Sequence, residues 1–248
     1  VGHVTLNPQV LVDTKIYCDS ADLTGYSNKV MLAPTADALD ATTFGSGGWK
    51  ARVGGLFDTT ASLEGFWQAG DLTQPDDLFW ANLSDSQAAL TFCPTAGTTV
   101  GDLCYLTRAM ETKYDPSGQI GQLFAFAVDW SGNWPVARGQ ILNPTGVVRS
   151  SSGNGTGRQL GAVAAGQRMY ANLHVLAASG TSVAVKLQSS VDNTFASPTD
   201  RITFTTATAL GGQSASLVGP VTDTWWRAVW TVVSGSFTFV CSAGIASK

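Results

Sequence analysis

The sequence predicts an all-β protein: a β-sandwich or barrel with one short helix, followed by a second sandwich of jelly-roll or immunoglobulin-like type. Three observations predict it. Apolar and polar residues alternate with period two over short runs, the spacing that turns one face of a strand into a core. Pairs drawn from Gly, Pro, Asn, Asp and Ser punctuate those runs. The composition, 44% hydrophobic and 13% charged with 27 glycines in 248 residues, is far from that of a disordered chain. A surface so short of charge exposes neutral and apolar area, which self-association would cover.

In chain order, the runs Leu39–Gly45 and Gly55–Phe66 read as two strands flanking an insert too long for a tight hairpin turn. Pro75 opens a helix capped by Thr73 or Gln74, with Asp76 and Asp77 at the positive end of its dipole. Leu78, Phe79 and Leu83 give it one apolar face, and Ser84-Asp85-Ser86 ends it. Strands are predicted at 88–93, 102–114, 120–130 and 134–142. Residues 150–157 hold no hydrophobic side chain, so 143–158 read as a flexible linker between a domain at 1–142 and another at 159–248. In the second half, period-two alternation predicts strands around 169–175, 183–187, 201–205, 226–232 and 237–241. Turns are predicted at Ser179-Gly180, Asp192-Asn193, Gly211-Gly212, Gly219-Pro220 and Ser234-Gly235.

Charge divides unevenly. Residues 1–142 hold 15 acids and 7 bases, and residues 143–248 hold 3 acids and 7 bases. An acidic half does not grip phosphates, but suits a surface past which nucleic acid slides. The four cysteines (Cys18, Cys93, Cys104, Cys241) have no metal-ligand spacing. Cys241 reads as a buried thiol, and Cys93 and Cys104 are placed to bridge a hairpin. His3 lies in a polar terminal segment, and His174 falls on the outer face of a strand. The opening residues lack the pattern of a signal peptide, and no run approaches the ~20 apolar residues that span a bilayer. No phosphate loop, nucleophile elbow or convincing carboxylate pair is present. Alternation sends Trp226 and Trp230 to a core and leaves Trp225 exposed or interfacial on the opposite face.

The runs Asp22–Val30, Asp37–Gly45 and Gly55–Phe66, with the helix at 75–84, together resemble the major tail tube proteins of long-tailed (siphovirus-type) bacteriophages. The resemblance covers about 20–142. The second half resembles the extra β-domain that some phage structural proteins append. The resemblance implies packed β-sheets whose subunits form rings, usually sixfold, stacked into a hollow tube through which DNA passes. It also implies that the loop between the two strands reaches a neighbouring subunit or the next ring. Carried onto this chain, Thr43, Phe44, Gly45, Trp49, Lys50, Arg52, Leu56 and Asp58 form the interface, with Phe44, Trp49 and Leu56 as apolar anchors. Asp37, Asp40 and Glu64 are candidates for the channel lining, with a solvated outer surface as the alternative. The halves show no internal repeat, which favours six chains per ring over three, with 159–248 on the exterior. The implied partners are the chain itself and other tail proteins, with DNA only as cargo. Membranes, cofactors, metals and catalysis have no part. The implied location is the virion tail, after synthesis in the host bacterial cytoplasm. Two alternatives stand beside this reading: a capsid decoration or head-completion protein, and a carbohydrate- or receptor-binding virion module using Trp225.

Overall fold

The computed structural model describes residues 10–247. His3 and the opening segment at 1–8 lie outside the described residues. In chain order the elements are β1 (Lys15–Cys18), β2 (Ala21–Asp22), β3 (Ser27–Asp40), β4 (Arg52–Phe66), α1 (Pro75–Asn82), β5 (Ala88–Cys93), β6 (Leu103–Ser117), β7 (Ala125–Gly132), β8 (Ala137–Asn143), β9 (Gly153–Asn154), β10 (Arg158–Gln159), β11 (Gln167–Ser190), β12 (Thr199–Thr203), β13 (Gly211–Val218) and β14 (Trp225–Ser247). The strand pairs are antiparallel, and one hydrogen-bonded network of 14 strands joins them.

In the first half, the order β3-β4-β7-β6-β5-β1 curls around a core of Leu23, Leu63, Leu90, Phe126, Val128 and Trp130. The helix α1 covers that core. Phe79, the apolar residue of its inner face, sits 5.4 Å from Phe126 and 5.7 Å from Trp130, ring centre to ring centre. Pro75 and the first-turn acids Asp76 and Asp77 stand where the sequence predicts, with Gln74 as N-cap.

The second half packs the long pair β11/β14 with β12 and β13 around Met169, Leu173, Val185, Trp226, Trp230 and Phe239. A third cluster joins the halves: Tyr17, Cys93, Cys104 and Leu106 meet Ile141, Tyr170 and Val240. Beside it lies a buried polar network. Asn172 Nδ2 donates to the carbonyls of Leu90 (2.9 Å) and Thr107 (3.0 Å), and Ser214 Oγ donates to Asn172 Oδ1 at 2.8 Å. His174 Nε2 lies 2.9 Å from Thr91 Oγ1, and its Nδ1 lies 3.1 Å from the Asp19 carbonyl. His174 is therefore fully buried rather than on an outer face, because β5 and β6 cover that side of β11. Burial pushes its imidazole down to about 4, so it is neutral near pH 7.

The structure revises several other expectations. The two strands predicted at 22–30 and 37–45 are one strand, β3, preceded by a turn and ending at Asp40. β4 begins at Arg52, so part of the predicted insert is paired, Leu39 facing Val53 and Asp40 facing Arg52. Residues 120–124 belong to the turn between β6 and β7 rather than to a strand. The predicted turns at Ser179-Gly180 and Ser234-Gly235 lie inside β11 and β14, which cross there with register shifts. A Cβ on Gly180 would sit 2.0 Å from the Ser234 carbonyl oxygen, so glycine here permits close approach and not chain reversal. Gly211-Gly212 likewise opens β13 and is no turn.

Residues 143–158 are no free coil. Arg149 N donates to the Phe237 carbonyl at 2.7 Å, and Gly155 N to the Ala228 carbonyl at 2.7 Å. Trp230 Nε1 donates to the Ser151 carbonyl at 3.0 Å, with the Arg149 guanidinium 4.3 Å over the Trp230 ring. β14 itself pins the segment. All four cysteines are free and buried, so Cys93 and Cys104 form no bridge.

Candidate assembly interface

Where β4 leaves β7, its outer half has β3 as its one pairing partner. The β7 register spans Thr60 to Phe66, whereas β3 pairs with β4 along its whole length. Residues 34–40 and 52–58 thus form a two-stranded arm that leaves the body by about 20–25 Å, at ~3.3 Å per residue. Pro34 fits this arrangement, since proline is tolerated on an edge strand. Below the exit point, β4 alternates buried Thr59, Ala61, Leu63 and Gly65 with more exposed residues. Above it the alternation stops. Both faces of the arm are exposed, and Leu39, Val53, Leu56 and Phe57 all reach solvent. An isolated two-stranded ribbon is marginal in water.

The tip, residues 41–51, has its own hydrogen bonds. Ala41 N donates to the Ala51 carbonyl at 2.9 Å, and Ala51 N to Thr42 Oγ1 at 3.0 Å. A short 3₁₀ turn, Phe44–Ser46, is closed by Thr43 N donating to Ser46 Oγ at 3.0 Å. Gly47 and Gly48 then follow with φ of 60° and 87°, left-handed values that explain the glycines of the insert. This fold turns Phe44 and Trp49 outward, 112% and 83% exposed. Thr43, Gly45, Lys50, Arg52, Leu56 and Asp58 are also exposed, so the arm carries all eight predicted interface residues. Lys50 and Arg52 form no ion pair among the described residues.

The candidate channel residues divide. Asp37 and Asp40 are exposed on the arm, and hydrogen bonds from Thr42 hold the Asp40 carboxyl below the usual range. Glu64 lies back on the body and is ion-paired with Lys29, which neutralises it. Trp225 is half-buried at the start of β14, opposite Gln159 and Ser190. Sequence reasoning missed Leu39, Val53 and Phe57 as arm residues; the adjacent apolar pair Leu56-Phe57 signals a strand with no buried face. It also missed a second exposed apolar group. Phe66, Trp67, Ile120, Leu123 and Phe124 gather where β4 ends and β6 turns into β7, with Trp67 and Phe124 rings 5.3 Å apart. Here the signal is the spacing Gly118, Gly121 around apolar residues.

The largest concavity, about 470 Å³, lies at the root of the arm between Pro34, Phe57, Asp58, Trp134 and Val136. Asp58 is its one ionisable lining residue. Among the described residues there is no group of three His, Cys, Asp or Glu side chains that could hold a metal ion, and no helix is long and apolar enough to cross a membrane.

No protein-family model matches this sequence, and no curated protein matches it. Three solved structures are similar in fold. One is a chain of the virion of a native gene transfer agent particle (TM-score 0.42, 16% identity, 53% of this chain and 98% of that chain). Another comes from the tail of an empty gene transfer agent particle refined with C6 symmetry (0.41, 17%, 52% and 98%). The third is the SPP1 Dit protein, described as a paradigm of the hub adsorption apparatus in phages infecting Gram-positive hosts (0.37, 11%, 94% and 99%). At TM-scores of 0.37–0.42 these likenesses are loose and do not set the function of this chain.

Proposed function

We propose that this chain is a virion structural protein that self-assembles into stacked rings, forming a hollow phage tail tube that conducts DNA. The arm carries the proposal. It presents Phe44, Trp49, Leu56 and Phe57 to water with no buried face of its own. Burying such side chains releases about 1.5–3 kcal/mol each, enough in combination to drive association. The resemblance of 22–66 to tail tube strands names the kind of assembly. The acidic first half, with Asp37 and Asp40 on the arm, supplies negative charge that keeps DNA from adhering. The body at 159–247, on the far side of the shared β8/β14 junction, forms the exterior, and six copies make a ring.

Purified protein concentrated to the millimolar range is expected to form rods with a stain-filled channel in negative-stain micrographs. Their sedimentation should broaden toward larger species as concentration rises. A single sharp monomer peak at every concentration, with no rods, would refute the proposal.

A further inference from the structure

The arm tip and the second apolar group sit at opposite ends of the same strand. β4 runs from Arg52 beside the tip to Phe66, and Phe66 pairs with Ala125 at the turn between β6 and β7. Fifteen residues separate the two ends by about 45 Å at ~3.3 Å per residue. Both ends are apolar and uncovered: Ile120 on the turn is 107% exposed. Their charges are opposite. The tip carries Lys50 and Arg52, whereas 66–100 contains four acids and no Lys or Arg. Two of those acids fringe the turn. Asp77 accepts from Gly70 N at 2.6 Å, and Asp71 is held ionised by hydrogen bonds from Thr73.

We infer that the arm tip of one copy docks on the far end of a second copy, with Phe44 and Trp49 against Trp67, Ile120 and Phe124 and with Lys50 and Arg52 against Asp71 and Asp77. The inference rests on the self-assembling reading and adds the receiving surface to it. An arm-to-arm contact would set Lys50 and Arg52 against themselves, and an end-to-end contact would set acid against acid; like charges so placed cost affinity. The contact is therefore heterologous, and because its two halves lie at opposite ends of one strand it adds copies along the direction of β4.

Complementation of two exposed-site variants tests this. The tip variant carries Phe44→Ser and Trp49→Ser, and the turn variant carries Ile120→Glu and Leu123→Glu. Each should fold, as judged by unchanged circular dichroism and melting temperature, yet need a concentration roughly 100-fold higher to stack. Mixed in equal amounts, they should form a species with one stacking junction that grows no further, since each junction needs one intact tip and one intact turn. The inference is overturned if the turn variant stacks as the unmodified chain does, or if the mixture forms no junction. Failure of the unmodified chain to associate at all would instead overturn the self-assembling reading as well.

Discussion

Replacing Phe44, Trp49, Leu56 and Phe57 together with serine should leave a folded protein that no longer assembles. These side chains touch little of their own chain: Phe44 and Trp49 project from the tip, and Leu56 and Phe57 lie on the arm beyond the last pairing with β7. The body's cores, built around Trp130 and Phe126 in one half and Trp226 and Phe239 in the other, do not include them. The melting temperature should therefore move by no more than a degree or two. Losing Phe44 and Trp49 alone removes roughly 4 kcal/mol per junction, about a thousandfold in the association constant. Sedimentation velocity reads both limits. A variant that sediments like the unmodified chain at matched concentration would show that the arm is not the adhesive element.

The second large effect concerns Glu111→Gln. Glu111 is fully buried on β6, and both of its carboxylate oxygens lack a hydrogen-bond partner in the protein. Burial, with the nearby Asp19 and Asp85, pushes it up to about 8 from an ordinary value of 4.5. Asp19, which accepts from Asn82 Nδ2 at 2.9 Å and from Ala89 N at 2.8 Å, is pushed up to about 7, chiefly by burial. A raised carboxyl pKa means that the folded state holds the proton more tightly than the unfolded chain. Stability is thus highest below the ordinary carboxylate range, falls as pH rises to about 8, and stays reduced beyond it. His174 works in the opposite sense: neutral in the fold, it lowers stability as pH drops from 6.5 toward about 4. Glu111→Gln keeps the shape and cannot ionise. It should stabilise the protein by about 2 kcal/mol at pH 9, a rise of roughly 4–8 °C in melting temperature, and change little at pH 5. An equal shift at both pH values would mean that the carboxyl is solvated or already paired.

Local features of the chain were the legible ones. Pro75 followed by Asp76 and Asp77 fixes a helix start, and the wholly buried run Ala88–Cys93 reads as a strand without knowledge of its neighbours. The arm could also be found, because Gly47-Gly48 interrupts two strand-like runs and leaves aromatic residues in a segment too polar to fold inward. What depends on the other half of the chain was not legible. His174 and Asn172 alternate with apolar residues as surface positions do, and only the packing of β5 and β6 onto β11 buries them. Ser179-Gly180 and Ser234-Gly235 carry the residues of turns, yet each glycine serves the crossing of two long strands. The Gly- and Ser-rich segment at 150–157 looks unpinned until β14 supplies its backbone partners. The patch at 120–124 was hidden by reading an apolar run as a strand, when two flanking glycines mark a turn.

Amide hydrogen exchange across 34–58 tests most directly whether the arm is completed by another copy. In dilute protein, amides of the arm beyond Thr59 should exchange within seconds to minutes, faster than those of β11 and β14. In assembled protein the same amides should slow by at least about a hundredfold. Equal exchange of residues 34–58 in the dilute and assembled states would contradict the account, because the arm would then be as uncovered in the assembly as it is alone.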